Sequence, residues 1–190
     1  LQCYFVEFYG QAAHAVAAPW EGKSALAAAR KFLDLIDARR ECFTPDVHVN
    51  SIILDGGKAP NIIPDYVKLR MEFRTATMKS MGAVDEMVKK CADGAAMALD
   101  CTVKFTSVFE FADMVRNMTL EEEIIRQFEA FGMPTTGVEA ASGSSDVGNV
   151  SYRCPAIQPL LAVTDEDYAL HTAAFRDATA LPQAEEAMEK

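Results

Sequence analysis

The sequence is short of positive charge. Its 18 lysines and arginines face 28 aspartates and glutamates, a formal net charge of −10 at pH 7. A chain so balanced has no broad basic face for phosphates, which argues against binding to nucleic acid or to anionic membrane surfaces. Long apolar runs are missing as well, since nothing approaches the roughly 20 residues needed to span a bilayer. No charged segment followed by an apolar one opens the chain, so no signal peptide is visible. The five cysteines, Cys3, Cys42, Cys91, Cys101 and Cys154, are odd in number, widely spaced and form no C-x-x-C pair. That excludes a zinc knuckle or a disulfide framework as the organising principle. Reduced thiols in the cytoplasm are the better reading. There are only three histidines, His14, His48 and His171.

What is present is enough to fold. Half of the 190 residues are apolar, which suffices for a core in one large domain or two small ones. Residues 2–9 (QCYFVEFY) are rich in aromatic and β-branched side chains and read as a strand. Ser24 caps a predicted helix that runs to about Arg40, with Leu26, Ala29, Leu33 and Ile36 on its buried face. Val47 to Leu54 is a second strand, closed by Asp55-Gly56-Gly57. In Tyr66–Arg74 the apolar Val67, Leu69, Met71 and Phe73 alternate with charged residues, the signature of a half-buried strand. A helix is expected from Ser80, burying Val84, Val88, Cys91 and Ala95. Alternation returns in Val103 to Phe111, through Phe105, Ser107 and Phe109.

The order β-α-β-β-α-β predicts an α+β sandwich: a four-stranded, mostly antiparallel sheet with two helices on one face, over residues 1–114. After it the texture changes. Thr119-Leu-Glu-Glu122 reads as a capping box opening a helix that stops at Gly132. Ala141 to Val150 reads as a Gly/Ser-rich loop, and Pro155 to Val163 as a short strand. Residues 115–190 hold too few elements for a core of their own and are expected to pack on something outside the first part. Both chain ends fall within predicted structure, Gln2–Tyr9 and Ala184–Lys190, so a fragment of a longer protein is the expectation.

Four stretches could carry chemistry. His14 lies between strand and helix, where loops position functional groups, although a plain surface histidine fits the spacing too. Gly56–Asp65 (GGKAPNIIPD) is a rigid turn whose Asn61 either presents an amide to a ligand or satisfies the turn itself. Gly143–Ser151 (GSSDVGNVS) has small residues that let backbone approach a ligand or another segment. It is neither G-x-G-x-x-G nor a phosphate loop. His171-Thr172 offers an imidazole that could complete a metal site begun elsewhere, or simply cap a helix. Glu121-Glu122-Glu123 and Glu185-Glu186 are solvated helix faces, not ligand pairs. His48 reads as sheet surface. Arg74 shares a polar strand face with Lys68 and Arg70, solvated or binding a carboxylate.

Together the four stretches resemble one family. G-x-A-A-H-A-x-x-x-P-x-x-G-x-x-A-L, G-G-x-A-P-N-I-I-P-D, G-S-S-D-V-G-N-V-S and H-T-x-x-F, in that order, look like the dinuclear zinc amidohydrolases and metallopeptidases. These include aminoacylases, succinyl-diaminopimelate desuccinylase and the aminobenzoyl-glutamate hydrolases, and the third stretch is most similar to the last branch. The resemblance implies a lid, or dimerisation, domain at 1–114 and the C-terminal segment of a metal-dependent catalytic domain at 115–190. It implies hydrolysis of an N-acyl or aroyl amino acid or a dipeptide-like amide, in a homodimer formed through the lid. His14 would reach the partner's active site and stabilise the oxyanion. Asn61 and Arg74 would bind substrate, Gly143, Ser144 and Ser145 would line its pocket, and His171 would ligate metal. The full enzyme would hold two ions, zinc or else manganese or cobalt. The family's other ligands and its Glu general base are absent, and no histidine here is followed two residues later by Asp. The chain alone is therefore expected to bind no metal and to be inactive. The rival expectation is a non-enzymatic, ferredoxin-like module for dimerisation or small-ligand binding.

Overall fold

A computed structural model describes residues 1–135 and 143–189. Strands are β1 (Gln2–Tyr9), β2 (Ala13–His14), β3 (His48–Asp55), β4 (Ile62–Ile63), β5 (Tyr66–Arg74) and β6 (Thr102–Glu110). Helices are α1 (Ala25–Arg39), α2 (Met78–Ala98), α3 (Met118–Ala130), α4 (Val147–Ser151), α5 (Ala173–Ala178) and α6 (Pro182–Glu189). The chain divides into two compact units, residues 1–113 with 143–149, and residues 114–142 with 150–190.

The first unit is the expected α+β sandwich. Its sheet has the order β3-β5-β1-β6, and every neighbouring pair is antiparallel. Tyr4, Val6 and Phe8 of β1 and Val67, Leu69, Met71 and Phe73 of β5 form one core with both helices. Phe8 meets Phe32 of α1 with ring centroids 5.7 Å apart, and Tyr4 meets Phe105 edge-on at 5.4 Å.

Helix starts differ by residues that matter. Ser24 does cap α1, accepting from Ala27 N at 3.1 Å. The buried stripe is Ala25, Ala28, Ala29, Phe32 and Ile36, and Leu26 and Leu33 sit at its margin. Small alanines let α1 lie close on the sheet, so they take the centre that leucine was expected to hold. In α2 the cap is Thr77, and Ser80 closes the capping box from the third helical position. Its fully buried face includes Val84, Val88 and Ala95 as expected, with Ala92 in the place of the half-buried Cys91.

The alternation in β6 also breaks. Tyr4 pairs with Ser107 but Cys3 pairs with Phe109, so Val108 is an extra residue. That bulge turns Phe109 to the outer face, since each inserted residue reverses the pleat. There Phe109 lies under the Arg70 guanidinium, 5.9 Å from the ring centroid.

Beyond residue 113 the structure corrects three expectations. Helix α3 is capped by Asn117, which accepts from Leu120 N at 3.1 Å, rather than by Thr119. Residues 155–163 form no strand: Pro155 and Pro159 remove ladder donors, and no strand of this unit lies among the described residues to pair with them. Within the stretch read as a loop at 141–150, residues 147–150 are helical, while 141 and 142 lie outside the described residues. The acidic run 121–123 is a surface feature as expected, with Glu121 paired to Arg116 and Glu123 to Arg126. All five cysteines are free thiols, and no helix among the described residues is long and apolar enough to cross a membrane.

Candidate functional site

Two sequence stretches some 45 residues apart are zipped together beside the sheet. The chain leaves β1 at Gly10, whose N–H donates to Asp65 O at 2.8 Å. A Cβ at Gly10 would stand 2.0 Å from Lys23 O, so only glycine fits this crossing. Gln11 then bridges Lys23, with both backbone hydrogen bonds at 2.9 Å. Next, β2 pairs with β4, setting Ala13 against Ile63 and His14 against Ile62. One step further, Ala15 N donates to Asn61 O at 3.0 Å. Pro64 O in turn accepts from Ala25 N at the start of α1, at 2.8 Å.

The ladder therefore brings the two segments together, with Ile62 opposite His14 and Asn61 one residue on, opposite Ala15, and both His14 and Asn61 are exposed. The His14 ring is held from below: Nδ1 accepts from Val16 N at 3.2 Å and from Ala17 N at 3.1 Å. Beside the pair, Leu26, Gly56, Gly57, Lys58, Pro60 and Ile62 border a shallow cavity of about 400 Å³. The same end of the sheet carries a buttress that sequence reading missed. Tyr66 donates to Glu7 at 2.6 Å, and Lys68 lies 3.9 Å from that carboxylate and 4.0 Å from the Phe5 ring centroid. The bond to Glu7, then burial, pushes the Tyr66 phenol up to about 12. Alternation put these residues on one outer face, but only the register between β1 and β5 shows that they touch.

Arg74 is not part of this pair. It ends β5, eight residues beyond Tyr66 and so roughly 26 Å along the strand. There it is exposed, faces His48 across the ladder and donates to Glu72 at 3.0 Å.

The third stretch is half anchor. A Cβ on Gly148 would stand 2.1 Å from Ala112 O, so glycine is required for the close approach. Asn149 clamps the end of β6, its Oδ1 accepting from Ala112 N at 2.6 Å and its Nδ2 donating to Glu110 O at 2.9 Å. Its amide imitates a paired strand residue. The preceding Gly143 and Ser144 are exposed, and the Ser145 hydroxyl accepts from Val147 N at 3.2 Å.

His171 belongs to the second unit, is exposed and has a positive φ of 64°. Thr172 beside it caps α5, accepting from Phe175 N at 3.2 Å. Among the described residues no three of His, Cys, Asp or Glu gather closely enough to hold a metal ion. The described residues therefore do not by themselves fit a metal centre.

The fold has known counterparts. Residues 2–98, more than half of the chain, match the peptidase dimerisation domain. The chain belongs to the M20 peptidase family. It is 35% identical over 178 residues to mouse Xaa-Arg dipeptidase, covering 91% of this chain and 41% of that enzyme. To one of the subunits of p-aminobenzoyl-glutamate hydrolase from Escherichia coli it is 28% identical over 128 residues, 67% of this chain and 27% of that one. The crystal structure of the aminobenzoyl-glutamate utilization protein from Klebsiella pneumoniae superposes with a TM-score of 0.70 at 21% identity, covering 80% of this chain and 39% of that one. The M20 chain thus spans less than half the length of each of these relatives, and the structural likeness establishes its fold.

Proposed function

We propose that this chain supplies the lid and the C-terminal catalytic segment of a metal-dependent amidohydrolase. The lid is residues 1–114 and the catalytic segment 115–190. The substrate is an amide joining an acyl, aroyl or aminoacyl group to an amino acid. The names of both relatives point to such a bond, in a dipeptide ending in arginine and in aminobenzoyl-glutamate. The observation that supports the reading is the β2–β4 ladder, which joins the segment carrying the exposed His14 to the segment carrying the exposed Asn61.

Each residue then has a task. His14 donates to the scissile carbonyl oxygen as negative charge develops there. Asn61 presents its amide to the substrate's carbonyl or carboxylate; Arg74, at the far end of β5 and bonded to Glu72, takes no part in this pair. Gly143, Ser144 and Ser145 line the substrate pocket, their stretch anchored through Gly148 and Asn149. His171 is the metal ligand that the family likeness assigns to this chain, and the isolated chain is inactive and metal-free. Two divalent ions, with zinc the first candidate, belong to the full-length enzyme, which works in the cytoplasm.

The partner is a second copy. The matched domain is a dimerisation domain by description. Among the described residues, strand β3 is paired on one side only, and it exposes Ile52, Ile53 and Leu54 along its length. An apolar, unpaired edge is a template for another strand.

The test is His14→Ala in the full-length enzyme. Removing one donor to a developing oxyanion costs about 10²–10³ in kcat. We expect that loss with metal content unchanged. An unaltered kcat would sink the oxyanion role.

A further inference from the structure

We propose that the backbone N–H groups of Val16 and Ala17 fix His14 in the tautomer that carries its proton on Nε2, which makes these two amides positioning groups for the site. A backbone N–H can only donate. Two of them converge on Nδ1, at 3.2 and 3.1 Å. The nitrogen that accepts them must hold a lone pair, so in the neutral ring the proton sits on Nε2.

The turn is built to keep those donors in place. Ala15 N is tied to Asn61 O at 3.0 Å, and Ala18 N closes back on His14 O at 3.2 Å. Val16 and Ala17 are left with their N–H groups turned inward to the ring. Among the described residues nothing engages Nε2, and the side chain is exposed. The lock thus leaves one outward-facing donor. In the other tautomer a lone pair would face outward and repel a developing oxyanion. The functional half of this inference rests on the oxyanion reading of His14; the tautomer itself does not.

The experiment uses the 190-residue chain labelled with ¹⁵N. In a long-range ¹⁵N–¹H spectrum above the titration of the ring, Nε2 couples to both carbon-bound ring protons and Nδ1 mainly to one. For His14, assigned by its loss in His14→Ala, the two-coupled nitrogen should be the protonated one. A protonated Nδ1, or a mixture of tautomers, overturns the proposal. Ala17→Pro removes one donor and should shift the tautomer ratio about fivefold, the factor one net hydrogen bond is worth. Ala17→Gly keeps the N–H and should keep the tautomer. An unchanged ratio in a folded Ala17→Pro overturns the assignment to the amides. Should that variant not fold, amide exchange decides: Val16 and Ala17 should exchange about fivefold faster in His14→Ala, and unchanged rates overturn the lock. Failure of the oxyanion reading is distinguishable, because it leaves these spectra intact and appears only as an unchanged kcat in the full-length His14→Ala enzyme.

Discussion

Asn149→Ala removes two hydrogen bonds that stand outside every helix and strand ladder. Asn149 Oδ1 holds Ala112 N at 2.6 Å, and Nδ2 holds Glu110 O at 2.9 Å. A net hydrogen bond contributes about 1 kcal/mol. Asn149 is exposed, so water replaces part of what the substitution removes, and the sum falls to about 1–2 kcal/mol rather than the larger cost of stranding a buried group. Urea unfolding of the 190-residue chain should show a lower midpoint with an unchanged slope. Exchange at the Ala112 amide should quicken about five- to tenfold, since 1.4 kcal/mol is a factor of ten. Asn149→Asp separates the two bonds. It keeps an acceptor for Ala112 N but turns an anionic oxygen toward Glu110 O. Stability should therefore fall further than in Asn149→Ala while Ala112 stays protected. If Asn149→Ala leaves both midpoint and exchange unchanged, water serves as well as the amide and the clamp is incidental. If Asn149→Asp frees Ala112, the bonds have been assigned wrongly.

Two further outcomes follow from the first unit. Tyr66 holds its proton more tightly folded, near 12, than in the unfolded chain, near 10; its contribution to stability is complete below about pH 10 and is lost as pH rises through about 12. Phenolate absorbance of the protein minus that of Tyr66→Phe should show a late titration that Glu7→Gln returns toward the ordinary range; a wild-type Tyr66 titrating with free tyrosine would refute the bond to Glu7. Ile52→Lys places a charge on the exposed edge of β3 and should convert the proposed dimer to monomer in sedimentation at micromolar concentration, because edge lysines block strand addition; a dimer that survives intact puts the subunit contact elsewhere.

The sheet was legible because its signal is local. Val67, Leu69, Met71 and Phe73 alternate with charged residues, and period 2 needs no knowledge of the neighbours. Caps were less legible. Thr119 with Glu122 fits the capping-box spacing, yet Asn117 two residues earlier accepts the bond; both are good caps, and tertiary context chose between them. The bulge at Val108 was invisible, because it is a property of pairing and not of one strand. Pro155 to Val163 shows the converse: apolar residues favour a strand only if another strand is there to receive its hydrogen bonds. His14 and Asn61 were each legible as candidates, but their adjacency was not, since no periodicity links Gly10–Trp20 to Gly56–Asp65.

That adjacency depends on very little local structure. The ladder between β2 and β4 has two residue pairs, and so short a pairing has no stability of its own in water. What holds it are its neighbours: Gly10 on Asp65, Gln11 on Lys23, and Ala25 on Pro64. Asp65 and Pro64 directly precede β5, Gly10 directly follows β1, and Ala25 opens α1. These are the elements whose side chains fill the core. His14 is thus an exposed loop residue whose position is fixed by buried ones. Its register against Asn61 follows from that of β1 against β5, where Tyr9 meets Tyr66 and Phe8 meets Val67. A one-residue slip there would turn Phe8 and Val6 out of the core, so the packing that stabilises the sheet is also what keeps the two segments in register.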